Sequence, residues 1–546
     1  MKIVTTDEVR AIDRRTYDEY HLPSLNLMEA AGSACATLAL EVFPKAQRIL
    51  VVCGKGNNGG DGFVAARKLR QAGKDCRVAL LAAPEELKGD AAVMFTRMDL
   101  PREDVYQLRT VDWRLTTGEW FVTADLILDA ILGTGFRPPV SGLYAVAIEV
   151  INHSGVPVLA VDIPSGADSD SYIALADVAP ISRPAVVGAT THAQASPQLI
   201  CRADAIATFT APRPAHVFGN LTSGPIRVAP IGSPDAAIQS ALNLHVITPH
   251  DIAQVLAPRP ADSNKGKFGH ALIIGGSVGK SGSVAMSGLA ALRVGAGLST
   301  VATVKSALPI VAAHACEVMT EPLSETETGT ISSHAFQELD GLLSGKNVIA
   351  IGPGMSRNPD AVHLVHSLVH KYREIPMVID ADGLNAFEHD AAALDGRGRT
   401  LVLTPHPGEM ARLAGVPSAA EIQRDRLGFA RRFAAEHQLV VVLKGWRTLI
   451  ALPDETVWVN PTGNPGMATG GTGDVLTGMI AGFLAQFPND VPRAVCAAVY
   501  LHGLAGDAAR EEFGEQPMIA GDLIACLPET FRRALKWAEE SFARIQ

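Results

Sequence analysis

Aromatic residues are scarce, at 5% of 546, and cysteine is rarer still, with seven residues and no C-x-x-C pair. Cys35, Cys53, Cys76, Cys201, Cys316, Cys496 and Cys526 are odd in number and widely scattered. That pattern argues against a disulfide framework or a zinc site, and the thiols read as reduced core residues. A basic run is missing as well: 47 Lys and Arg face 57 Asp and Glu, for a net charge of -10. Without a basic stripe to follow phosphates, nucleic acid is not an expected partner. Nor does any uncharged apolar run reach the roughly twenty residues of a membrane span, and the start M-K-I-V-T-T-D-E-V-R has acids where a signal peptide is apolar. A soluble, cytoplasmic protein with no membrane partner is expected. What is abundant is apolar: 47% hydrophobic against 19% charged residues, in a chain too long for one core.

The most informative stretch is Asn464 to Asp474, N-P-G-M-A-T-G-G-T-G-D, which runs into the apolar V-L-T-G-M-I-A-G-F-L-A. A Gly-rich loop opening a helix gathers unpaired backbone amides at the positive end of the dipole, where an anion is favoured. Asp474 adds a proton acceptor beside those donors, the pairing that phosphoryl transfer to a hydroxyl requires. The plainer alternative is a Gly turn with Asp474 as an N-cap.

Residues 6 to 43 read as two helices separated by Pro23, with Ser24 as the N-cap of the second. The period then changes. R-I-L-V-V-C-G is a short apolar run of the kind buried in a parallel sheet, followed by K-G-N-N-G-G-D-G and the helical F-V-A-A-R-K-L-R. C-R-V-A-L-L, L-I-L-D-A-I-L-G-T-G-F and V-L-A-V-D-I-P-S-G continue the pattern, so Asp61, Asp129, Asp162 and Ser165 are expected to converge at one sheet edge. Singly, each is most simply a turn or cap residue. The first half is read as lacking both a G-x-G-x-x-G fingerprint and a Walker motif, so classical dinucleotide or P-loop binding is not expected. Asn58, Asp129 and Ser165 offer hard oxygen ligands, better suited to an alkali or alkaline-earth cation than to zinc.

N-N-G-G-D-G at 57 to 62, L-D-A-I-L-G-T-G at 128 to 135 and D-I-P-S-G at 162 to 166 together resemble the NAD(P)H-hydrate epimerase domain. The resemblance implies substrate contacts from Asn57, Asn58, Gly59, Gly60 and Asp61, from Gly133, Thr134, Gly135, Phe136, Arg137, Pro138 and Pro139, and from Asp162. It also implies potassium held by Asn58, Asp129 and Ser165. Residues 167 to 200 depart from the family pattern, and Arg213 stands where a lysine is usual.

From Arg213 to Pro260 the chain is rich in proline and should form neither one helix nor a central strand, so a boundary is expected near residue 240, giving domains over 1–240 and 241–546. In the second domain A-L-I-I-G-G-S, V-I-A-I-G-P-G, M-V-I-D-A-D-G-L-N, T-L-V-L-T-P-H-P-G-E-M and L-V-V-V-L-K-G alternate with helical segments, as in a mostly parallel three-layer sheet. Two three-layer, doubly wound α/β domains are expected, Rossmann-like and then ribokinase-like. His406 sits between two prolines at a strand end, and Lys444 puts an ammonium where a nucleotide phosphate would lie. Asp380 and Asp382 either serve magnesium indirectly or cap the next helix.

The G-T-G-D cradle looks like that of ribokinase-type kinases. With N-K-G-K-F-G-H, G-G-S, I-G-P-G, T-P-H-P-G-E and V-L-K-G it resembles the ADP/ATP-dependent NAD(P)H-hydrate dehydratase. That implies hydrate contacts from Ser283 (commonly alanine in the family), Gly354, His406 and Asp474. It implies nucleotide contacts from Lys444, Gly445, Trp446, Arg447, Thr448 and Gly473. The implied substrates are hydrated NADH and NADPH with ADP or ATP, ADP being favoured, and magnesium would accompany the nucleotide. Asp474 is the expected base of the dehydratase, Asp162 or Asp61 that of the epimerase, and a homo-oligomer is the expected assembly. Two rival readings are a small-alcohol kinase with a ligand-sensing first domain, and a first domain that is only a scaffold.

Overall fold

The structure, a computed structural model, describes residues 1–108, 120–121, 123–173 and 198–545. The chain forms two compact units, Met1–Leu242 with Glu540–Gln546, and Asn243–Glu539. Most of the atypical stretch after D-I-P-S-G, 174–197, lies outside the described residues.

The first unit is built on β1 (Arg48–Cys53), β2 (Asp75–Leu80), β3 (Val105–Gln107), β4 (Leu126–Ala130), β5 (Val158–Val161), β6 (Ala205–Phe209) and β7 (Ile226–Ala229), with β18 (Ala543–Arg544) added from near the chain's end. Their order is β18-β7-β6-β5-β4-β1-β2-β3, parallel except for β18 on β7. Ile49, Val51 and Cys53 pack with the helices Ser24–Val42 and Asn57–Gln71, whereas Leu50 and Val52 pack with Gly142–His153. Both faces of the sheet are thus covered, which is why its strands read as unbroken apolar runs. Pro225 and Pro230 bracket β7 without interrupting it, so the proline-rich stretch does contribute a strand with neighbours on both sides, against expectation.

Two local expectations are also corrected. Ser24 is the first helical residue and Pro23 the cap, because proline's fixed φ (-61°) sets the turn one residue earlier. Of the seven free thiols, six are buried, while Cys316 is exposed in a turn after the short helix Leu308–His314.

The second unit contains β8 (Leu244–Val246), β9 (His270–Ile274), β10 (Leu298–Val304), β11 (Met319–Leu323), β12 (Val348–Ile351), β13 (Met377–Ile379), β14 (Leu401–Leu403), β15 (Val440–Leu443), β16 (Leu449–Ala451) and β17 (Val457–Val459). They lie in the order β11-β10-β9-β12-β13-β14-β15-β16-β17-β8, parallel from β11 to β15 and antiparallel through β15, β16 and β17. Ala271, Ile273, Val378, Val402 and Val442 face one core with the helices Ser281–Arg293, Thr472–Gln486 and Val491–Phe513. The alternate residues Leu272, Ile274, Ile379, Leu403 and Leu443 are buried on the opposite face, where Arg426–His437 packs on β15. Both units are therefore three-layer α/β. In each, strand order reverses once, between β1 and β4 and between β9 and β12, and ligands gather at the carboxyl ends of strands beside such a reversal. No helix among the described residues is long and apolar enough to cross a membrane.

The helix Thr472–Gln486 crosses Ser281–Arg293 so closely that a Cβ on Gly478 would lie 2.0 Å from the Ser287 carbonyl oxygen. Gly478→Ala is expected to push the helices apart and destabilise the unit by about 1–3 kcal/mol. Gly341→Ala, on a helix with open space around it, is the matched control and should gain about 0.5–1 kcal/mol in denaturant unfolding.

Candidate functional site

In the first unit the tails of β1, β4 and β5 meet. Gly54, Gly56 and Gly59 run from the end of β1 into the first turn of the helix Asn57–Gln71 at G-x-G-x-x-G spacing, so the first half does carry the glycine spacing of a dinucleotide turn, against expectation. Two of the three are required by contact: a Cβ on Gly59 would lie 2.0 Å from the Gly54 carbonyl oxygen, and one on Gly54 would lie 2.1 Å from that of Ile131, whereas one on Gly56 would meet nothing within 4 Å. Asn57 opens the helix at the surface, Asn58 is buried, and a Cβ on Gly60 would meet Met28 Sδ at 2.6 Å.

Asn58, Asp129 and Ser165 are all buried. Ser165 Oγ donates to Asp129 Oδ1 at 2.6 Å, its backbone N–H donates to Oδ2 at 2.8 Å, and its Oγ accepts from the Leu132 amide at 2.8 Å. Burial drives the Asp129 pKa upward against the hydrogen bonds of Ser165, Ile131 and the Cys201 thiol. The Asn58 side chain is buried against Gly133, and neither its oxygen nor its nitrogen has a protein partner. The buried, orphaned amide oxygen of Asn58, at the same strand ends as the Asp129 carboxyl and the Ser165 hydroxyl, fits a cation held by oxygen atoms.

A second group of acids lies at the same strand ends. Asp162, in a left-handed conformation (φ 67°), accepts from Thr208 Oγ1 at 3.1 Å, from the Thr134 amide at 3.1 Å and from the fully buried Arg213. Burial alone would raise its pKa, but Arg213 and then His216 outweigh it, and the carboxylate stays ionised. Asp61 is pushed the other way: burial first, then Asp162 and Asp13, hold its pKa well above the carboxylate range. Two neighbouring carboxyls are thus kept in opposite protonation states. Arg137 reaches Asp170 at 2.9 Å and Asp168 at 3.5 Å, while Phe136 closes a turn on the Gly133 carbonyl. Pro138 and Pro139 follow in a cis linkage, and Gly135 lies 3.4 Å, from its missing Cβ, to Arg10.

Sequence reading missed Asp13. It lies on the helix Thr6–Asp18, whose Thr6 Oγ1 bonds the Thr134 carbonyl at 3.2 Å and Ser169 Oγ at 2.7 Å. Burial of its inner side raises the Asp13 pKa to about 6, with Arg213 opposing and Asp162 adding to the rise. The only hint in the sequence was its placement seven residues after Thr6, two helical turns along one face.

In the second unit Gly471 (φ 95°) caps the helix Thr472–Gln486, leaving Asp474 in the first turn and not at the cap. Burial, then Asp380, raises the Asp474 pKa to about 6, while a hydrogen bond from Ser283 and the charge of Lys444 oppose them. Gly354 (φ 62°) turns the chain at the end of β12 so tightly that a Cβ would lie 3.1 Å from Ser283 Cβ. Lys444, just past β15, places Nζ 2.8 Å from Asp380 Oδ1, 3.8 Å from Glu409 Oε2 and 3.5 Å from where a Gly473 Cβ would stand. Asp380 also accepts from Thr404 and Thr477, each at 2.7 Å, so both of its oxygens are hydrogen-bonded within the protein. Asp382 opens a one-turn helix and accepts from the Ser356 amide at 2.8 Å.

His406 caps the helix Pro407–Ala414. Its Nδ1 accepts the Gly408 amide at 3.0 Å and faces that of Glu409 at 3.4 Å, which leaves the proton of the neutral ring on Nε2. Burial, then Lys444 and Arg412, lowers its pKa and keeps the ring neutral, so it presents a donor. A cavity of about 390 Å³ opens beside these residues, lined by Lys444, Gly445, Trp446, Arg447, Thr448 and Gly473 together with Asn460, Asn464 and His502. The six residues assigned to nucleotide thus share one cavity. Ser283, Gly354, His406 and Asp474 do not line it, but Ser283 and Asp474 join it through Gly473, and His406 through Glu409 and Lys444. Glu409, inside the quoted T-P-H-P-G-E string, is the residue that the sequence reading left unassigned here.

Residues 271–529 match the family described as NAD(P)H-hydrate dehydratase, and residues 24–215 that described as YjeF-related protein N-terminus. The bifunctional NAD(P)H-hydrate repair enzyme of Moorella thermoacetica is 41% identical, over 97% of each chain. That of Escherichia coli is 33% identical, over 95% of this chain and 92% of the relative. The solved ADP/ATP-dependent NAD(P)H-hydrate dehydratase from Bacillus subtilis, co-crystallised with ATP and Mg2+, is 33% identical, with a TM-score of 0.45, covering 54% of this chain and 100% of that one. On likeness along nearly its whole length, this chain belongs to the bifunctional NAD(P)H-hydrate repair enzyme family.

Proposed function

We propose that the first unit interconverts the two epimers of hydrated NADH and NADPH, and that the second returns the S epimer to NAD(P)H at the expense of ADP or ATP. The observation that carries this is Asp474: a carboxyl on the first turn of an amide-rich helix start, beside the cavity walled by Lys444 to Thr448.

Hydroxide leaves poorly from the hydrated ring, whereas a phosphoryl group on that oxygen lets it depart as phosphate, and loss of a proton from the neighbouring ring carbon then restores the double bond. Asp474 takes the hydroxyl proton, the Gly470 to Gly473 amides and Lys444 hold the charge of the transferring group, and His406 donates from Nε2 to orient the hydrate. Magnesium, arriving on the nucleotide's phosphates, would supply further charge neutralisation. The alternative of a plain small-alcohol kinase is disfavoured by the family match along both units.

In the first unit the reacting carbon carries both the hydroxyl and the ring nitrogen. Protonated Asp61 gives its proton to the departing hydroxyl, the nitrogen lone pair stabilises the cation, and ionised Asp162 takes a proton from the water that returns on the other face. Potassium, held by Asn58, Asp129 and Ser165, would fix the loop after β4 and supply only charge there.

The test starts from a mixture of both epimers of hydrated NADH and follows NADH absorbance with ADP or ATP. Complete recovery is expected in the wild type; no recovery with either nucleotide would overturn the reading. Asp162→Asn should slow epimerisation about 100-fold, so that rapid recovery stops at the share of the S epimer. The dehydration rate on that epimer is the internal control, and full-speed recovery of both epimers by the variant would make the first unit's catalytic assignment wrong.

A further inference from the structure

Glu409 has a bland explanation. As the third residue of the helix Pro407–Ala414 it accepts the His406 amide on Oε2 at 2.8 Å, the reciprocal half of a capping box. A capping glutamate needs no more than that, and it normally keeps its charge in water. This one does not: its side chain is 7% exposed, Oε1 lies 3.5 Å from His406 Nε2, and Oε2 lies 3.8 Å from Lys444 Nζ. Lys444, the one lysine lining the cavity among the described residues, is therefore shared between Asp380 and a second buried carboxyl.

We propose that Glu409 competes with the nucleotide's phosphates for Lys444, so that nucleotide binding at this site is coupled to protonation of Glu409. The inference rests on the nucleotide reading of the cavity given above. Phosphate oxygens arriving beside Gly473 draw the ammonium toward themselves, and an ionised Glu409 is then a buried anion that has lost its cation and gained anionic neighbours. Taking up one proton removes that cost.

The groups facing Glu409 agree on the direction. Lys444 and Arg412 favour its ionised form, Asp380 opposes it, and the neutral His406 contributes its backbone donor. Burial outweighs the cations and brings the pKa up to about 7, so the proton is exchangeable near neutrality. Asp380, held by Lys444, Thr404 and Thr477, stays ionised. Two further carboxyls beside the cavity can take a proton on phosphate binding: Asp474, from its lower value of about 6, and Asp507, raised by burial and bonded to the cavity-lining Gly463 and Asn464.

The coupling is read without turnover, by calorimetric titration of ADP into the full-length protein in buffers of different ionisation enthalpy from pH 6 to 8. In the wild type the heat should report net proton uptake, and above pH 7 the affinity should fall about tenfold per pH unit. Glu409→Gln keeps an acceptor for the His406 amide but cannot titrate. It should bind ADP as the wild type does at pH 6 and about tenfold more tightly at pH 8, with the uptake near pH 7 lost. Asp474→Asn should retain that uptake, which separates the two carboxyls. Equal uptake in Glu409→Gln and wild type, or none in the wild type, overturns the proposal. If ADP binds to neither protein, the nucleotide reading falls and the proposal with it. A Glu409→Gln protein that does not fold leaves the wild-type and Asp474→Asn titrations to decide.

Discussion

Asp474→Asn is expected to slow nucleotide-dependent recovery of NADH from the S epimer about 10⁴-fold, at the upper end of what a lost general base costs, while epimerisation continues at the wild-type rate. The asparagine keeps the shape of the first turn and can still accept from Ser283, so what disappears is the capacity to take the hydroxyl proton. Because burial lifts the carboxyl to about 6, wild-type kcat/KM should fall tenfold per pH unit below about 6 as Asp474 is protonated, and the variant's residual rate should lack that limb. Stability separates this loss from a folding defect. An aspartate whose folded pKa lies above its unfolded value stabilises the fold below the unfolded pKa, and that contribution is lost as pH rises through the folded value. At pH 7 the asparagine variant should therefore melt no lower than the wild type. A variant retaining more than a tenth of wild-type activity would mean that another group accepts the proton.

Lys444→Met should be the most destabilising of the site substitutions. Asp380 is buried, with a side chain 2% exposed, and Lys444 Nζ at 2.8 Å is its cation; removing one partner of such a pair costs about 3–5 kcal/mol. Thr404 and Thr477 remain as donors, but neutral hydroxyls do not balance the charge. Denaturant unfolding should show the loss in the single variant and regain most of it in the Asp380→Asn, Lys444→Met double variant, where no unpaired ion is left. ADP binding should return in neither, since the phosphate-facing ammonium is absent from both. If the single variant is as stable as the wild type, the pair contributes nothing to the fold and the lysine serves the ligand alone.

The parts of these sites that were legible in the sequence are those whose chemistry depends on local chain order. The Asn464–Asp474 string, the glycines after β1 and the D-I-P-S-G tail each combine a backbone requirement with a functional group within a few residues. The alternation hidden inside β1, where Ile49 and Leu50 enter different cores, also announces itself as an unbroken apolar run. What escaped depends on partners remote in sequence. Asp13 matters because Arg213 and Asp162 lie beside it, and Glu409 because Lys444 does; alone, each is an unremarkable helix residue. Ser24 failed as a cap because its neighbour's ring, and not its own hydroxyl, set the turn. Cys316 failed as a core residue because composition describes a residue type and not a place in a turn. The pairing of β18 with β7 had no local signature at all, joining Ala543 to Val228.

That pairing makes the second unit an insertion between two strands of the first. During synthesis the ribosome delivers Ile226–Ala229 long before Ala543–Arg544, with the whole of Asn243–Glu539 in between. Throughout that interval β7 is an open sheet edge, with unpaired amides and carbonyls available to any passing strand. The β7 edge of the first unit is covered only after Ala543–Arg544, which follow the whole second unit in the chain, have been made, so pairing at that edge depends on prior synthesis of the second unit.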